Sequence, residues 1–254
     1  MSELNKVKEA IKINELDIIQ AKELQLLLLK LAYPVGKIDG LVGPKTFECW
    51  SDFKSDCYMK FPDIIGEGSV KLIKQKTIIP DYDLSTKEST IKSIAQECYR
   101  LRLKLPEHYS YVIATTEHET AGSFKPVREA YYISSDFTTA ENFRKTNKTI
   151  KRYYPFYGRG YTQLTWEPNY EKYSLLTGLD LVKDPDKAMI PNISLFIMVH
   201  GFKSGAFTGA KLENYINDDK LDFYNARRCI NGLDKANHIK TLTEKYLKEG
   251  INGK

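Results

Sequence analysis

The sequence contains little cysteine and no long apolar run. Only four of its 254 residues are cysteine, and none shows Cys-x-x-Cys spacing or a dense framework. This pattern predicts reduced, partly buried thiols in a chain that folds in a reducing compartment. The longest strongly apolar run, residues 26–29, is far too short to span a bilayer, so no membrane insertion is expected. The four cysteines are Cys49, Cys57, Cys98 and Cys229.

A secretory signal and a strong charge of one sign are missing as well. Residues 1–20 are charged throughout and lack an uninterrupted apolar segment, so the expected location during synthesis is the cytoplasm. The net charge is only +5 and no Lys/Arg cluster is present, so nucleic acid is not a predicted partner. Hydrophobic residues make up 42% of the chain, which is ample for a buried core. A chain of this length forms one large domain or two unequal ones.

The first part of the chain predicts a small helical unit, residues 1–75. Apolar residues recur at helical spacing over residues 18–31, and Pro34 disfavours helix at the residue before it. An Asp-Gly turn follows at Asp39 and Gly40. Pro44 then suits the first position of a helix that runs through Phe53.

This unit resembles the peptidoglycan-binding domain of bacterial and phage wall hydrolases, a three-helix fold. The resemblance rests on Leu24-Gln25, on Asp-Gly-x-x-Gly-Pro-x-Thr at residues 39–46, and on Phe53 seven residues later. It implies that the wall-binding residues are Asp39, Gly40, Gly43 and Thr46. The alternative is a helical domain that uses the Asp-Gly turn only as a connection. A phosphate-binding loop is excluded because Pro44 has no N–H to offer.

The rest of the chain predicts a larger, mainly α-helical domain, residues 89–254, after a linker at 76–88. The linker lacks periodicity and carries Pro, Asp and Ser. Helices are predicted at 88–104, 106–120, 168–177, 191–204 and 236–249. Long loops are predicted at 122–160 and 205–235, where a substrate cleft is usually built. No long alternating strand is expected, so the predicted fold class is mainly α.

Two segments of this domain carry side chains suited to holding and cleaving a sugar. His118-Glu119-Thr120 ends an apolar helical stretch, and residues 158–170 gather Arg, Gln, Thr, Trp, Asn and Tyr. Glycoside hydrolysis needs one protonated carboxyl group and a second carboxylate. A Glu at the C-terminal end of a buried helix suits the acid, because burial and the negative helix end disfavour the charged form. Periodicity alone does not separate Glu119 from Glu117.

The two segments together resemble the signature of family 19 glycoside hydrolases. His-Glu-Thr is followed downstream by Tyr-Gly-Arg-Gly-x-x-Gln-Leu-Thr-x-x-x-Asn-Tyr, and the resemblance covers residues 88–254. That family comprises the plant-type chitinases and many phage endolysins, which degrade peptidoglycan. It implies a lysozyme-like, mainly α catalytic domain, an inverting reaction and no cofactor. It also assigns the acid to Glu119, because the acid of the family directly follows the His.

The resemblance implies that Glu129 is the second carboxylate. Phage-type members carry a Glu at a similar place, whereas plant chitinases carry it further along a longer loop, so Asp136 and Glu141 are alternatives. The hydroxyl of Thr165 would help to hold the attacking water, and Gln163 would line the cleft.

Further substrate contacts are expected at His118, Asn169, Trp166, Arg228 and Asn231. Trp166 either stacks on a sugar ring or belongs to the core. The stretch 228–232 resembles an Ile-Asn-Gly segment of the family, although a structural turn explains it nearly as well. Arg227 is the alternative to Arg228 as a substrate contact.

Other chemistries find less support in the sequence. His118-Glu119 begins like the zinc motif His-Glu-x-x-His, but Gly122 occupies the position of the second His, so no metal is predicted. A carbohydrate-binding protein without activity is a further alternative, against which the intact motifs argue. Endochitinase activity remains the alternative within the glycosidases, since chitin shares the β-1,4 linkage.

The N-terminal unit and the lack of a secretory signal favour peptidoglycan as the substrate, cleaved at the MurNAc–GlcNAc bond. The resemblance thus implies a monomeric phage endolysin. It would accumulate in the host cytoplasm and reach the bacterial wall through a holin-type release partner.

Overall fold

The computed structural model describes residues 2–251 and 253, and it is mainly α-helical, which confirms the predicted class. In the described residues the helices are α1 Ile18–Lys30, α2 Pro44–Asp56, α3 Glu67–Lys76, α4 Lys87–Arg100, α5 Pro106–Glu119, α6 Phe137–Thr146, α7 Glu167–Thr177, α8 Pro191–Ser204 and α9 Ala236–Lys248. Six 3-10 helices cover Glu3–Lys6, Ile13–Glu15, Ile150–Arg152, Pro185–Met189, Leu212–Asn214 and Asn225–Cys229.

The strands of the described part of the chain are two residues long and form three antiparallel pairs. The pairs are β1 Ile11–Lys12 with β2 Ile64–Ile65, β3 Val127–Arg128 with β4 Arg159–Gly160, and β5 Ile216–Asn217 with β6 Lys220–Leu221. Within the described residues, no helix is both long enough and apolar enough to cross a bilayer.

The contacts divide the chain into two compact units, Met1–Ile78 and Ile79–Lys254. In the first unit α1, α2 and α3 enclose an apolar core in which the rings of Trp50 and Phe53 stack at 5.3 Å. Asp17 precedes α1 and forms a capping box with Gln20. The Asp17 side chain accepts from the N–H of Gln20 over 2.8 Å, and Gln20 Oε1 accepts from the N–H of Asp17 over 3.1 Å.

The second unit is built around α5, whose residues 108–116 are all buried. This helix packs against α4 and α9, and α8 packs against α4. Pro106 occupies its first turn, where a missing N–H costs nothing. The helix ends at Glu119, after which Gly122 takes a φ of +78° and donates its N–H to Glu117 O over 2.7 Å. A buried helix therefore ends with a carboxylate at the position that the sequence predicted.

Two predictions of secondary structure are wrong. The α4 helix ends at Arg100 rather than near 104, and Arg102 takes a φ of +68°, which no helix residue adopts. The loop predicted at 122–160 contains α6, which Asp136 caps by accepting from Thr139 N over 2.7 Å.

The segment between α3 and α4 is partly anchored. Tyr82 donates its N–H to Asn192 Oδ1 over 3.1 Å and its O–H to Glu97 Oε2 over 3.0 Å. Ser93 Oγ donates to the carbonyl of Asp83. Residues 81–83 of the predicted linker thus pack on α4 and α8, within the second unit.

Candidate active site

The second unit contains a polar cleft of about 430 Å³. It forms where the end of α5, the residues after β3, the 162–169 segment and the chain after the Asn225–Cys229 turn meet. Its lining residues are Glu119, Glu129, Tyr153, Thr162, Gln163, Thr165, Trp166, Asn169, Phe207, Ile230 and Asn231. The cleft thus brings together two carboxylates and several side chains of the types that hold sugars. These residues are separated by up to 112 positions in the chain.

Glu119 is held by a buried cation. Arg227 Nη1 donates to Glu119 Oε1 over 2.7 Å, and the Arg227 Nε donates to the carbonyl of Asp234 over 3.1 Å. The side chain of Arg227 is only 3% exposed and that of Glu119 is 17% exposed. A charge-assisted hydrogen bond of this length fixes the orientation of the carboxyl group at the C-terminal end of α5.

Hydrogen bonds hold both the backbone and the carboxylate of Glu129. Tyr153 Oη donates to Oε1 over 2.7 Å, and the N–H of Gly158 donates to Oε2 over 2.8 Å. The N–H of Glu129 donates in turn to the carbonyl of Gly158, while Arg144 Nε donates to the carbonyl of Glu129. Glu129, which directly follows β3, is therefore held by hydrogen bonds at its N–H, its carbonyl and both carboxylate oxygens.

The other carboxylates considered from the sequence lie elsewhere. Glu117 accepts from Tyr246 Oη over 2.5 Å and pairs with Lys87 at 3.5 Å. Asp136 caps α6. Glu141 accepts from Arg144 Nη1 and from Tyr157 Oη, at 3.1 and 2.9 Å. None of the three lines the cleft.

Gln163, Thr165 and Asn169 line the cleft and also brace it. Gln163 Nε2 donates to the carbonyls of Val127 and Gly160, at 3.0 and 3.2 Å, and so ties β3 to β4. Thr165 Oγ1 donates to the carbonyl of Gln163, and Asn169 Nδ2 donates to the carbonyl of Thr165. The Thr165 hydroxyl group thus donates to the backbone and its oxygen is left as an acceptor, while Asn169 keeps its side-chain oxygen and one N–H.

Gly158 illustrates why the motif needs glycine beside Gln163. A Cβ at position 158 would lie 2.6 Å from Gln163 Oε1 and 3.1 Å from its Cβ, far inside van der Waals contact. A larger residue at position 158 would therefore displace the Gln163 side chain, whose Nε2 ties β3 to β4.

Trp166 belongs to the cleft wall and not to the core. It is 46% exposed, and its ring lies 4.8 Å from that of Tyr153 at an angle of 58°. Its backbone takes a φ of +73°, which is rare for a bulky residue, and its N–H donates to the carbonyl of Phe156 over 2.9 Å. The ring is therefore presented to the cleft by a strained and hydrogen-bonded backbone.

Arg159 of the same motif is structural. It is buried, and its Nε donates to Asp186 Oδ1 over 2.7 Å while Arg128 Nη2 donates to Oδ2 over 2.9 Å. Burial opposes ionisation of Asp186, but the bonds from the two guanidinium groups outweigh it and lower the pKa of that carboxyl group. The pair secures β3 and β4 from the side of the Pro185–Met189 turn.

Two of the predicted substrate contacts are not brought to the cleft lining. The ring of His118 lies edge-on to that of His238, 5.5 Å away, and its burial lowers the pKa of His118. Arg228 is exposed, and its Nε donates to Asn225 Oδ1. Asn231, by contrast, does line the cleft.

Sequence reasoning missed two residues of the site. Arg227, considered there only as a substrate contact, holds Glu119, and Tyr153, which belongs to no motif, holds Glu129. No local pattern announces either contact, because Arg227 is 108 positions away from Glu119 and Tyr153 is 24 positions away from Glu129. In residues 2–251 and 253, no cluster of three or more His, Cys, Asp or Glu side chains is arranged to hold a metal ion.

In the first unit, the predicted wall-binding residues surround a buried glutamine. Gln25 Nε2 donates to Asp39 Oδ1 over 2.9 Å and contacts Thr46 Oγ1 at 3.2 Å, while Gln25 Oε1 accepts from the N–H of Gly40 over 2.9 Å. Gly40 takes a φ of +82°, and a Cβ there would lie 2.7 Å from Ile18. Gly43 precedes α2 as its N-cap residue. Asp39, Gly40 and Thr46 thus build the loop from within.

No family model, curated protein sequence or solved structure matches the chain.

Proposed function

We propose that this protein hydrolyses β-1,4 glycosidic bonds in the glycan strands of peptidoglycan, as the phage endolysins that it resembles do. The observation that carries the proposal is that Glu119 and Glu129 line one polar cleft together with an exposed Trp166. Two carboxylates across a sugar-binding cleft are the minimal apparatus for glycoside hydrolysis. In the inverting reaction, one carboxylic acid protonates the leaving oxygen while the other carboxylate activates a water on the opposite face of the ring.

Glu119 is the proposed acid. Because Arg227 Nη1 donates to its Oε1, a proton on this carboxyl group would be carried by Oε2. The end of a buried helix gives the group a rigid backbone, so the proton is delivered in one direction. General acid catalysis of this kind contributes about 10²- to 10⁴-fold in rate.

Glu129 is the proposed base. Each of its carboxylate oxygens accepts one hydrogen bond, from Tyr153 and Gly158, and a carboxylate offers about four lone-pair sites in total. Lone pairs therefore remain to take a proton from water. Thr165 Oγ1 donates to a backbone carbonyl, which directs its own lone pairs away from that bond and makes it an acceptor for the same water.

The exposed ring of Trp166 is the proposed platform for a sugar ring, since aromatic side chains provide apolar contact to the C–H faces of sugars. Asn169 and Asn231 provide amide groups for hydroxyl or acetamido groups. The first unit is the proposed wall anchor. It exposes Leu41 and Phe47, at 66% and 41%, on and beside the loop that Gln25 organises.

Mass spectrometry of products from purified peptidoglycan, with chitohexaose digested in parallel, tests the proposal. We expect muropeptides with a MurNAc reducing end and little turnover of chitohexaose. Chitohexaose cleavage with intact peptidoglycan would make the protein an endochitinase instead. Free stem peptides with uncut glycan would overturn a glycosidase function altogether.

Three variants assign the roles in the same assay. Glu119→Gln and Glu129→Gln should each lose at least about 10²-fold in rate. Glu117→Gln is the matched control, because it alters a carboxylate on the same helix that contacts Tyr246 rather than the cleft. Near-wild-type cleavage by Glu119→Gln would refute its role as the acid.

A further inference from the structure

Tyr153 contacts two parts of the cleft, the Glu129 carboxylate and the Trp166 ring. Its hydroxyl group donates to Glu129 Oε1 over 2.7 Å. Its ring lies 4.8 Å from the ring of Trp166. One side chain thus touches both the proposed base and the proposed sugar platform, although no motif of the sequence includes it.

We propose that Tyr153 is a positioning residue that orients the Glu129 carboxylate through its hydroxyl group and supports Trp166 through its ring. The inference rests on the function proposed above and adds a residue to it. The two roles are carried by different atoms of one side chain, so they can be separated by substitution.

The hydroxyl group fixes the carboxylate because it supplies one of two donors, each on a different oxygen. The other donor is the backbone N–H of Gly158 on Oε2. With both bonds present, rotation of the carboxylate about its terminal bond would break at least one of them. With the Gly158 bond alone, the group can swing about a single contact, and its water-activating oxygen loses a defined direction.

Tyr153 remains a donor over the pH range in which the protein would act. Burial raises the pKa of Tyr153, and the hydrogen bond to Glu129 together with the nearby negative charge raises this pKa further. A phenol that stays protonated donates to a carboxylate, and a donor stabilises the charged form that a general base needs.

The backbone holds Tyr153 and Trp166 in one frame. The N–H of Tyr153 donates to the carbonyl of Ile150 over 3.1 Å, and its carbonyl accepts from the N–H of Phe156 over 2.7 Å. The carbonyl of Phe156 accepts from the N–H of Trp166 over 2.9 Å. Two consecutive backbone bonds therefore connect the two aromatic residues, so their rings keep a fixed spacing.

The first variant is Tyr153→Phe, which removes only the hydroxyl group. We expect kcat on peptidoglycan to fall about 10- to 100-fold, while KM changes less than about twofold because the ring remains. This split between kcat and KM is the signature of a group that orients the proposed base rather than one that binds the substrate. A purely structural role for the hydroxyl group would lower the melting temperature and leave kcat unchanged.

The second variant is Tyr153→Ala, which removes the ring as well. We expect the loss of kcat seen for Tyr153→Phe and, in addition, a rise in KM of about tenfold, because Trp166 loses its neighbour. The matched control is Tyr82→Phe, which removes a phenol that donates to the buried carboxylate of Glu97. It should lower the melting temperature without moving kcat or KM.

The outcomes separate this inference from the proposed function. A wild-type protein that releases no glycan fragments removes both. Cleavage that depends on Glu129 but survives Tyr153→Phe, with kcat within twofold of the wild type, overturns the Tyr153 inference alone. A loss of kcat that Tyr82→Phe matches at the same loss of melting temperature also overturns it, because general destabilisation would account for both results.

Discussion

Arg227 donates from Nη1 to Oε1 of Glu119 over 2.7 Å, and it does so from a position that solvent barely reaches. Its Nε is committed to the carbonyl of Asp234. The guanidinium group thus bridges the end of α5 and the chain before α9 with two donors in a fixed fork. A lysine at this position would have one nitrogen for two acceptors in different directions.

Arg227→Lys should therefore impair both stability and cleavage. We expect the free energy of unfolding to fall by about 1.5–3 kcal/mol, the range for losing a hydrogen bond to a charged group. We expect kcat to fall by about tenfold or more, because Glu119, the proposed acid, is no longer oriented. Urea unfolding and initial rates on purified peptidoglycan measure the two quantities.

The control for this variant is Arg100→Lys. Arg100 makes two bonds of 2.6 Å to Glu97 and plays no part in the cleft, so its replacement should cost stability alone. If both lysine variants lost the same fraction of activity at matched stability, the orienting role of Arg227 would be refuted.

Gln25 should stabilise the first unit, because it organises the loop of residues 39–46. It is 1% exposed, and its amide bonds to Asp39, Gly40 and Thr46. Gln25→Ala leaves these groups without their partner, and we expect a loss of about 2–3 kcal/mol. Hydrogen exchange at the N–H of Gly40 measures the effect locally.

Gln75→Ala is the matched control, because Gln75 is an exposed glutamine of α3. It should stay within about 0.5 kcal/mol of the wild type. Equal protection of the Gly40 N–H in the wild type and in Gln25→Ala would mean that the loop holds its shape by other means.

Helices that show apolar spacing and begin with a proline were predictable from the sequence. The α6 helix, whose buried residues are held by tertiary contacts, was not. Pro44, Pro106 and Pro191 each begin a helix whose apolar spacing the sequence displays. The α6 helix has no such stripe, since its buried residues are Ala140 and Arg144. Arg144 is buried because it bonds to Glu129 and Glu141, which are contacts that exist only in the folded chain.

The same division runs through the candidate site. A local motif carries Gln163, Thr165 and Asn169, because the bonds among them span two to four positions. Arg227 and Tyr153 act across long separations, and nothing in their immediate neighbourhood predicts their partners. The exposure of Trp166 follows from a positive φ, which composition does not reveal.

The residue at which a fragment of the second unit begins should determine the stability of that fragment. A fragment of residues 79–254 keeps the bond from Tyr82 to Glu97 and the cap in which Thr86 Oγ1 accepts from the N–H of Ser89. A fragment that starts at 89, the boundary predicted from sequence, lacks both. We expect it to be less stable by about 2–4 kcal/mol, from one cap and one bond to a charged group.

Thermal unfolding of the two fragments tests this expectation, and identical melting temperatures would contradict it. The longer fragment should also cleave soluble glycan at the full-length rate while attaching more weakly to intact walls. Equal attachment by the fragment and the full chain would remove the anchoring role proposed for the first unit.

His108 should make the second unit less stable in acid. Its Nδ1 accepts from the N–H of Leu105 and its Nε2 lies 2.8 Å from the carbonyl of Ile216, so the buried ring is held neutral. Burial is the main cause that lowers the pKa of His108, against a smaller opposing contribution from the Ile216 carbonyl.

Because this pKa is depressed in the folded state, the unfolded chain binds more protons once the pH falls through the ordinary value of about 6.5. The free energy of unfolding should therefore be constant above that value and fall below it, by at most about 1.4 kcal/mol per pH unit for one group. The fall should stop below the folded-state pKa. His118, whose pKa is also lowered, adds a contribution of the same sign. Urea unfolding of the 79–254 fragment between pH 7.5 and 5.0 should thus show a shallower acid slope in His108→Gln than in the wild type, and parallel slopes would show that His108 does not cause it.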